Sequence, residues 1–249
     1  MVEQARAQTE AAPDFRPLYA QVRDLILRRV VQGVWRPGEA LPSEQRLAEE
    51  FGVSQGTVRK ALDAMAAQNQ VVREQGRGTF VATHRDQRAQ FHFLHVLPDL
   101  GGKQMPVSRV LSIRPATANR EEARRLGCRL GDAVTRLLRL RTIEGKPVIL
   151  ERIVVPTALM PDFDLPIGRE TPEELYAIYE RRYGVVVARA EEVLKAVTAD
   201  RTDARHLGVV FAAPLLQVDR IARNLDGITV EWRLSRCDTR NHHYSSVIE

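Results

Sequence analysis

Apolar side chains recur at helical spacing in three successive segments near the start of the chain. The first segment covers residues 18–30, the second follows Ser43 and ends at Gly52, and the third follows Ser54. A serine at the start supplies an oxygen for free backbone N–H groups, and a glycine past the end accepts left-handed backbone. The pattern therefore predicts three short helices joined by tight turns.

The third helix has two chemically different faces. At 100° per residue its apolar positions centre opposite its polar ones. The apolar face comprises Val58, Ala61, Leu62 and Met65, and the opposite face comprises Gly56, Arg59, Lys60 and Asp63. Two alternating segments follow, residues 71–74 and 79–82, around Gln75-Gly76-Arg77-Gly78. This order predicts a winged helix-turn-helix, which places one helix in the DNA major groove.

The rest of the chain has an alternating, β-rich pattern that contains an internal repeat. Residues 117–127 match residues 198–208 at Thr, Ala, Arg, Ala, Arg, Leu and Gly. Each copy precedes a strand, a turn and a second strand: residues 134–142 and 148–155 in the first copy, and 215–224 and 229–237 in the second. Two such copies predict a pseudo-symmetric antiparallel sheet with helices on one side.

Further elements are predicted before and between the copies. Residues 91–97 and 105–113 are candidate strands, and residues 185–197 a long one. Residues 171–182 predict a capped helix that ends at Gly184, with Leu175, Ile178 and Tyr179 inward. The domain organisation is a loose tail over 1–14, a winged helix-turn-helix over 15–82, a polar linker over 83–90 and an α+β domain over 91–249.

Composition indicates a globular protein of the cytoplasm. The 249 residues are 44% hydrophobic, and no apolar run approaches the roughly 18–20 residues of a membrane span. The N-terminus lacks the apolar core of a secretory signal. Two cysteines, Cys128 and Cys237, show no metal or redox spacing, which suggests a reducing compartment.

Charge supports an anionic partner only through its placement. The net charge is +5, yet residues 1–84 hold 11 Lys/Arg against 10 Asp/Glu. Residues 54–85 hold five cations against Asp63 and Glu74. DNA binding must therefore depend on where the cations lie rather than on bulk charge.

The motifs of the first domain resemble the GntR family of bacterial transcription regulators. The similarity covers residues 17–82 and includes Leu41-Pro42-Ser43-Glu44, Phe51-Gly52-Val53-Ser54 and Gly76-Arg77-Gly78-Thr79-Phe80-Val81. It implies contacts to DNA from the start of the third helix and, in the adjacent minor groove, from the wing. The candidate DNA-binding residues are Ser43, Gln45, Arg46, Ser54, Gln55, Gly56, Thr57, Arg59, Lys60, Gln75, Gly76 and Arg77. Gln45 and Gln55 depart from the family, where arginine is common.

The chemistry of these residues agrees with that role. Arg59 and Arg77 can bind phosphate or guanine through paired N–H groups. Gln55 could pair with adenine, while Ser54 and Thr57 suit phosphate at a helix N-terminus. The alternative is an ordinary helical packing unit whose charged face is only solvated.

The second domain resembles the UTRA effector domain of the HutC-type branch, which is similar in fold to chorismate lyase. The matching features are Arg139-Leu140-Arg141, Glu144-Gly145-Lys146-Pro147-Val148 with Glu151, and Val230-Glu231 before a terminal tyrosine. The resemblance implies a small-molecule pocket between sheet and helices, and dimerisation through this domain.

The candidate effector-binding residues are Ser108, Arg109, Arg139, Arg141, Glu151, Glu231, Arg236 and Tyr244. Arg139 and Arg141 alternate with leucines and should share one sheet face, where they suit a carboxylate or phosphate. Glu231 could orient an amine or hydroxyl of the same ligand. The alternative is that these arginines pair with internal acids such as Glu151. We expect no cofactor, and no metal at His242-His243, because adjacent side chains on a strand point opposite ways.

Together these features favour a homodimeric transcription regulator, most often a repressor in such families. It would bind double-stranded DNA at a short palindromic operator under control of a small, polar or anionic metabolite. One alternative is an enzyme, since the effector fold resembles a lyase, although no nucleophile–base spacing stands out. Another is a non-specific nucleic-acid-binding protein, which fits poorly with a nearly neutral first domain.

Overall fold

The computed structural model describes residues 16–83, 95–100, 106–171 and 173–246. The predicted tail over 1–14, the linker beyond Thr83 and parts of two predicted strands (91–94 and 105) lie outside these ranges. The first domain consists of helices α1 (Leu18–Val31), α2 (Glu44–Phe51) and α3 (Gln55–Ala67) and strands β1 (Val71–Glu74) and β2 (Gly78–Val81).

The helix boundaries follow the predicted capping residues. Ser43 Oγ accepts a hydrogen bond from the backbone N–H of Arg46, and Ser54 Oγ accepts one from that of Thr57, both at 3.2 Å. Gly52 ends α2 with a left-handed φ of 64°. The C-cap of α1 is Gln32, and Gly33 follows it with a left-handed φ of 76°.

The core of the first domain continues into the second. Ile26, Leu47 and Met65 are fully buried in one hydrophobic cluster with the inner faces of all three helices. The same cluster includes Val186, Ala188 and Leu225 of the second domain. The two domains therefore share apolar packing.

The second domain is built on one large sheet. Its elements, in chain order, are β3 (Val96–Pro98), β4 (Val107–Thr117), α4 (Arg120–Leu126), β5 (Ala133–Ile143), β6 (Lys146–Pro156), β7 (Glu170–Thr171), α5 (Leu175–Tyr183), β8 (Val187–Thr198), α6 (Arg201–Leu207), β9 (Pro214–Asn224), β10 (Thr229–Cys237) and β11 (His242–Tyr244). Seven strands pair antiparallel in the order β7-β4-β5-β6-β10-β9-β8. Strands β3 and β11 form a separate two-stranded ribbon.

The internal repeat is confirmed as a structural repeat. Each copy runs strand, helix, strand, strand, and the last strands of the two copies, β6 and β10, pair at the centre of the sheet. Both repeat helices begin with a capping box, Asn119 with Glu122 in α4 and Asp200 with Asp203 in α6. The sheet therefore has approximate two-fold symmetry.

The prediction that helices lie on one side of the sheet holds only for the repeated pair. Leu126 of α4 and Leu207 of α6 pack with even-numbered residues of β5 such as Val134 and Leu140. Helix α5 packs with odd-numbered residues such as Leu137, and strand side chains alternate between faces. Helix α5 therefore covers the opposite face, because the sheet is apolar on both sides.

Helix α5 also begins later than predicted. It starts at Leu175 rather than Thr171, because Thr171 is taken up by the short strand β7 at the edge of β4. The Thr171 hydroxyl accepts a hydrogen bond from the backbone N–H of Glu173 at 3.0 Å. Gly184 ends the helix in a left-handed conformation, as predicted.

Candidate functional site

The N-terminus of α3 is presented to solvent beside the N-terminus of α2. Ser54, Gln55, Gly56 and Arg59 are exposed, and Thr57 is half-buried. The Ser54 and Thr57 hydroxyl oxygens lie 2.9 Å apart, so the cap and its neighbour form one polar unit at the helix start. This surface has the dipole and the N–H groups that bind phosphate.

A carboxylate of α2 holds the polar side chains of α3 in place. Glu44 Oε2 accepts hydrogen bonds from Arg59 Nε at 2.9 Å and Gln55 Nε2 at 3.4 Å, and Glu44 Oε1 accepts one from Arg73 Nη1 at 3.2 Å. The hydrogen bond from Arg59 lowers the pKa of Glu44 against the opposing effect of burial. Arg73 also pairs with Asp63 at 2.7 Å. Neither Glu44 nor Arg73 was predicted to have this role.

The wing places Arg77 at the surface. Its side chain is 72% exposed, pairs with Glu74 and lies 5.5 Å from the centre of the Phe80 ring. Gly76 and Gly78 have φ values of 74° and 122°, which favour glycine and allow the tight turn. Gln75 is exposed beside Arg77.

Three other predicted DNA contacts have different surroundings. Lys60 Nζ lies 4.5 Å from the centre of the Tyr19 ring. Lys60 is therefore directed at α1, whereas Arg59 is directed at Glu44. Gln45 donates to Glu49 of its own helix at 3.2 Å. Arg46 is exposed on α2. The structure therefore separates Lys60 from the group around Gln55 and Arg59.

The second domain contains a buried charge cluster on the sheet face that α5 covers. It consists of four arginines and four glutamates: Arg139, Arg141, Arg220, Arg233, Glu151, Glu174, Glu192 and Glu231. Six of these residues are buried outright, and Glu174 and Glu192 are largely so. The formal charges cancel, which limits the cost of removing them from water.

Glu151 is the centre of this cluster. Its oxygens lie 2.5 Å from Arg139 Nε, 3.1 Å from Arg233 Nη1 and 3.9 Å from Arg141 Nη1. Burial alone would raise the pKa of Glu151, but these three arginines outweigh it and hold that pKa below its ordinary value. Glu151 is therefore ionised and shared among three cations. Arg141 is also paired with Glu174, the residue before α5.

Glu231 connects the cluster to α5. It accepts hydrogen bonds from Tyr179 Oη at 2.7 Å, Tyr176 Oη at 3.2 Å and Arg233 Nη2 at 2.8 Å. Burial, with the charge of Glu231 next, raises the pKa of both tyrosines, so they remain protonated donors. Arg220 completes the cluster through Glu192.

Three buried donors of this face have no acceptor within the described part of the chain. They are Ser108 Oγ, Arg139 Nη2 and Arg141 Nε. Ser108 lies directly opposite Arg141 in the β4–β5 pairing and is 1% exposed. A buried donor without a partner costs about 1–3 kcal/mol, and oxygens of a bound anion would relieve that cost.

The ribbon of β3 and β11 borders the cluster. A cavity of about 30 Å³ lies between the ribbon and the cluster, and its lining includes Arg141, Glu151 and Tyr244. It has room for about one water molecule and not for a metabolite. Tyr244 donates to Glu192 and stacks near His95, and both rings also line a cleft of about 870 Å³ between the domains.

The structure brings together most of the predicted effector-binding residues, but not all. Ser108, Arg139, Arg141, Glu151 and Glu231 share the clustered face, and Tyr244 lies at its rim. The alternative of internal pairing also holds, since Arg139 and Arg141 both pair with Glu151.

Arg109 and Arg236 do not belong to this group. Arg109 follows Ser108, and Arg236 follows Ser235, and both serines are on the cluster face. Because side chains alternate along a strand, Arg109 and Arg236 are on the opposite face of the sheet. Six members of the cluster were not predicted from the sequence: Arg220, Arg233, Glu174, Glu192, Tyr176 and Tyr179. Arg220 could have been found, because it is the counterpart of Arg139 in the repeat.

Within residues 16–83, 95–100, 106–171 and 173–246, no three His, Cys, Asp or Glu side chains are placed to hold a metal ion. His243 Nδ1 lies 3.0 Å from Asp99 Oδ1. None of the helices in the same ranges has the length and apolar character to cross a bilayer.

Comparison with protein families divides the chain at the same place as the fold. Residues 18–81 match the family described as bacterial regulatory proteins, gntR family, and residues 102–243 match the UTRA domain. The second match covers more than half of the chain.

Individual relatives match over most of their length. The chain is 31% identical over 206 residues to the histidine utilization repressor of Pseudomonas putida, covering 82% of this chain and 81% of that one. It is 27% identical over 216 residues to the HTH-type transcriptional repressor NagR of Bacillus subtilis, covering 86% and 88%. The ligand-binding domain of a GntR-family transcriptional regulator from Bordetella bronchiseptica matches 63% of this chain and 98% of its own, with a TM-score of 0.58 and 31% identity.

Proposed function

Because this chain belongs to the GntR family of bacterial regulatory proteins and carries a UTRA domain, we propose that it is a homodimeric repressor released from its operator by a small anionic metabolite. It is a DNA-binding transcription regulator controlled by a metabolite. Relatives that are named as repressors support repression rather than activation. A regulator of this kind acts on the chromosome, so we place it in the cytoplasm.

The DNA-binding part of the proposal is supported by the exposed group at the start of α3. Gln55 and Arg59 project from the helix beside the Ser54 cap, and Arg77 projects from the wing. Two such domains in a dimer would bind two half-sites of a palindrome, with a spacing fixed by the dimer. Glu44 pre-orders Arg59, which reduces the side-chain entropy lost on binding.

The single observation that carries the effector site is the set of unsatisfied donors on Ser108, Arg139 and Arg141. The cluster is neutral without a ligand, so an added anion must either leave it negative or replace one of its glutamates. Glu174 is the most exposed of the four, with 14% of its side chain accessible. We propose that a carboxylate or phosphate group takes its place on Arg141.

Replacement of Glu174 would connect the site to the first domain through α5. Glu174 is the N-cap residue of α5, and Tyr176 and Tyr179 of this helix bind the cluster. Farther along the same helix, Glu180 accepts a hydrogen bond from the Thr83 hydroxyl at 2.7 Å. The effector would favour one arrangement of the DNA-binding domains through its differential affinity for the two states.

The test is binding to DNA from the chain's own promoter region. We expect a preference for that DNA over scrambled DNA of the same length, and affinity that falls with salt. Equal affinity for both duplexes would contradict a sequence-specific regulator. Metabolites with a carboxylate or phosphate group are then screened for release of the protein from the DNA. If no anionic metabolite released the DNA but a cationic one did, the proposed effector class would be contradicted.

We further propose that the effector is bound without turnover. The cluster tyrosines are protonated, and every cluster carboxylate is paired with an arginine. None of these groups is therefore free to act as a general base. Recovery of chemically unchanged effector after prolonged incubation is the expected result. Detection of a product would instead support the lyase-like alternative.

A further inference from the structure

The cleft of about 870 Å³ between the two domains borders the buried charge cluster but is formed mostly by other residues. Arg23 and Leu27 of α1 and Gln70 after α3 line it from the first domain. Arg189 of β8 and the hairpin between β9 and β10 line it from the second domain. Binding sites for small molecules usually have volumes of about 300–1,000 Å³. A metabolite in this cleft would therefore contact both domains.

Gln70 brings an unsatisfied acceptor to the cleft. The residue is 7% exposed, and its side-chain Oε1 accepts no hydrogen bond from any residue that the structure describes. Its backbone is held on both sides, because its N–H donates to the Met65 carbonyl at 2.9 Å and its carbonyl accepts from the Ala82 N–H at 3.0 Å. The terminal amide can still turn, since the last side-chain torsion of glutamine is broad. A donor bound in the cleft would relieve the cost of burying Oε1 unpaired.

The donor that suits Gln70 is a hydroxyl group rather than an ammonium group. The Gln70 side chain is neutral and buried. A neutral amide oxygen does not compensate for the hydration that a cation loses when it enters such a place. A hydroxyl carries no charge and loses much less hydration. The position of Gln70 therefore favours a ligand with an alcohol group.

The charged residues of the cleft favour an acid group on the same ligand. The cations that line it are Arg23, Arg189 and Arg223, and the carboxylates are Asp226 and Glu192. Glu192 is already paired with Arg220 of the buried cluster. Arg189 is 71% exposed, and its pair with Glu191 at 3.3 Å is a surface pair, which water weakens. The Arg189 guanidinium can therefore exchange that pair for a carboxylate or phosphate of a ligand.

We propose that this cleft is a second ligand site, which binds a small hydroxylated acid with its hydroxyl at Gln70 and its acid group at Arg189. The two contacts come from different domains, so the ligand links them. It favours the domain arrangement in which the cleft is formed, to the extent that it binds that arrangement more tightly than others. The site depends neither on an operator nor on occupation of the charge cluster.

Matched pairs of acids that differ only in one hydroxyl test the contact with Gln70. The probes are malate with succinate, 4-hydroxybutyrate with butyrate, and 6-hydroxyhexanoate with hexanoate, which cover different separations of hydroxyl and carboxylate. Isothermal titration calorimetry on the full chain measures their dissociation constants. We expect the hydroxy acid of at least one pair to bind about threefold to tenfold more tightly, as for one neutral hydrogen bond.

Two variants, one from each wall, test the position of the ligand. Gln70→Met keeps the length of the side chain but removes the acceptor, so both acids of the preferred pair should bind equally. Gln217→Met, at a half-buried glutamine outside the cleft, is the matched control and should keep the preference. Arg189→Gln should weaken both acids about threefold to tenfold, whereas Arg205→Gln, at an exposed arginine outside the cleft, should not.

Three results would overturn the inference. They are equal binding within all three pairs, a hydroxyl preference that persists in Gln70→Met, and unchanged affinity in Arg189→Gln. Affinity that falls in Ser108→Ala but not in Arg189→Gln would place the acid in the charge cluster instead. Since no operator DNA is used, these results are independent of the test of the proposed function.

Discussion

At the scale of single residues, the buried charge cluster makes the stability of the fold depend on particular side chains. Glu151 is 2% exposed and shared among three arginines. Its replacement leaves those cations buried with less compensation. Surface ion pairs contribute far less because water screens them.

Glu151→Gln should therefore lower the free energy of unfolding by about 3–5 kcal/mol. The matched control is Glu121→Gln, since Glu121 pairs with Arg124 and Arg125 but is 47% exposed. We expect its effect to stay within about 0.5 kcal/mol. Urea denaturation measures both, and similar losses in the two variants would contradict the assigned role of Glu151.

The same carboxylates predict how stability depends on pH. Burial notwithstanding, Arg139, Arg233 and Arg141 lower the pKa of Glu151, and the hydrogen bond from Arg136 lowers that of Glu122. The folded state then binds fewer protons than the unfolded state. This stabilisation is complete above the ordinary pKa of 4.5 and declines as the pH falls below it. Unfolding at about pH 7 and pH 4 should show that decline, with a smaller slope in Glu151→Gln.

Arg59 and Lys60 give a sharp test of the DNA-binding surface. Arg59 is anchored by Glu44 beside Gln55, whereas Lys60 is directed at Tyr19. Arg59→Ala should weaken operator binding roughly tenfold to a hundredfold and relax base preference. Lys60→Ala should weaken binding less than about threefold, as for loss of one distant charge. Fluorescence anisotropy at fixed salt measures both; equal losses would contradict the different roles.

At the scale of secondary structure, local patterns predicted most elements because their signals lie within the chain itself. The caps at Ser43 and Ser54 predicted where α2 and α3 begin, and the repeat at residues 117–127 and 198–208 predicted α4 and α6. The side of the sheet that α5 covers could not be predicted in this way. A helical pattern identifies Leu175 and Tyr179 as inward, but not which of two apolar sheet faces they meet.

The membership of the cluster shows the same limit. Arg139 and Arg141 could be assigned to one face because they alternate along one strand. Arg233 and Tyr176 reach them from β10 and α5, and only the sheet order brings those elements together. Arg109 lies on the opposite face of the sheet from Ser108 because side chains alternate along β4.

At the scale of the whole molecule, the described residues show two kinds of contact between the DNA-binding domain and the domain that carries the proposed effector site. One is the apolar packing of Val186 and Leu225 with the first domain. The other is the hydrogen bond from Thr83 to Glu180, at the point where the chain leaves the winged domain. Apolar packing is non-directional, so this contact by itself does not set a single orientation of the two domains. The hydrogen bond is directional and depends on the position of α5.

Thr83→Val should therefore separate regulation from DNA binding. The variant keeps the shape of the side chain but removes the hydroxyl that donates to Glu180. Thr83 is not part of the candidate DNA-binding surface, so operator affinity without effector should change less than about threefold. A hydrogen bond to a charged group contributes about 1.5–3 kcal/mol, so the effector-induced loss of affinity should shrink by roughly tenfold.

The measurement is an anisotropy titration of operator DNA with and without a metabolite identified by thermal-shift screening. Thr157→Val, at a half-buried threonine after β6, is the matched control and should respond like wild type. If Thr83→Val keeps full effector response, α5 does not act on the winged domain through this contact. Coupling would then have to pass through the apolar interface at Leu225, where Leu225→Ala should reduce the response instead.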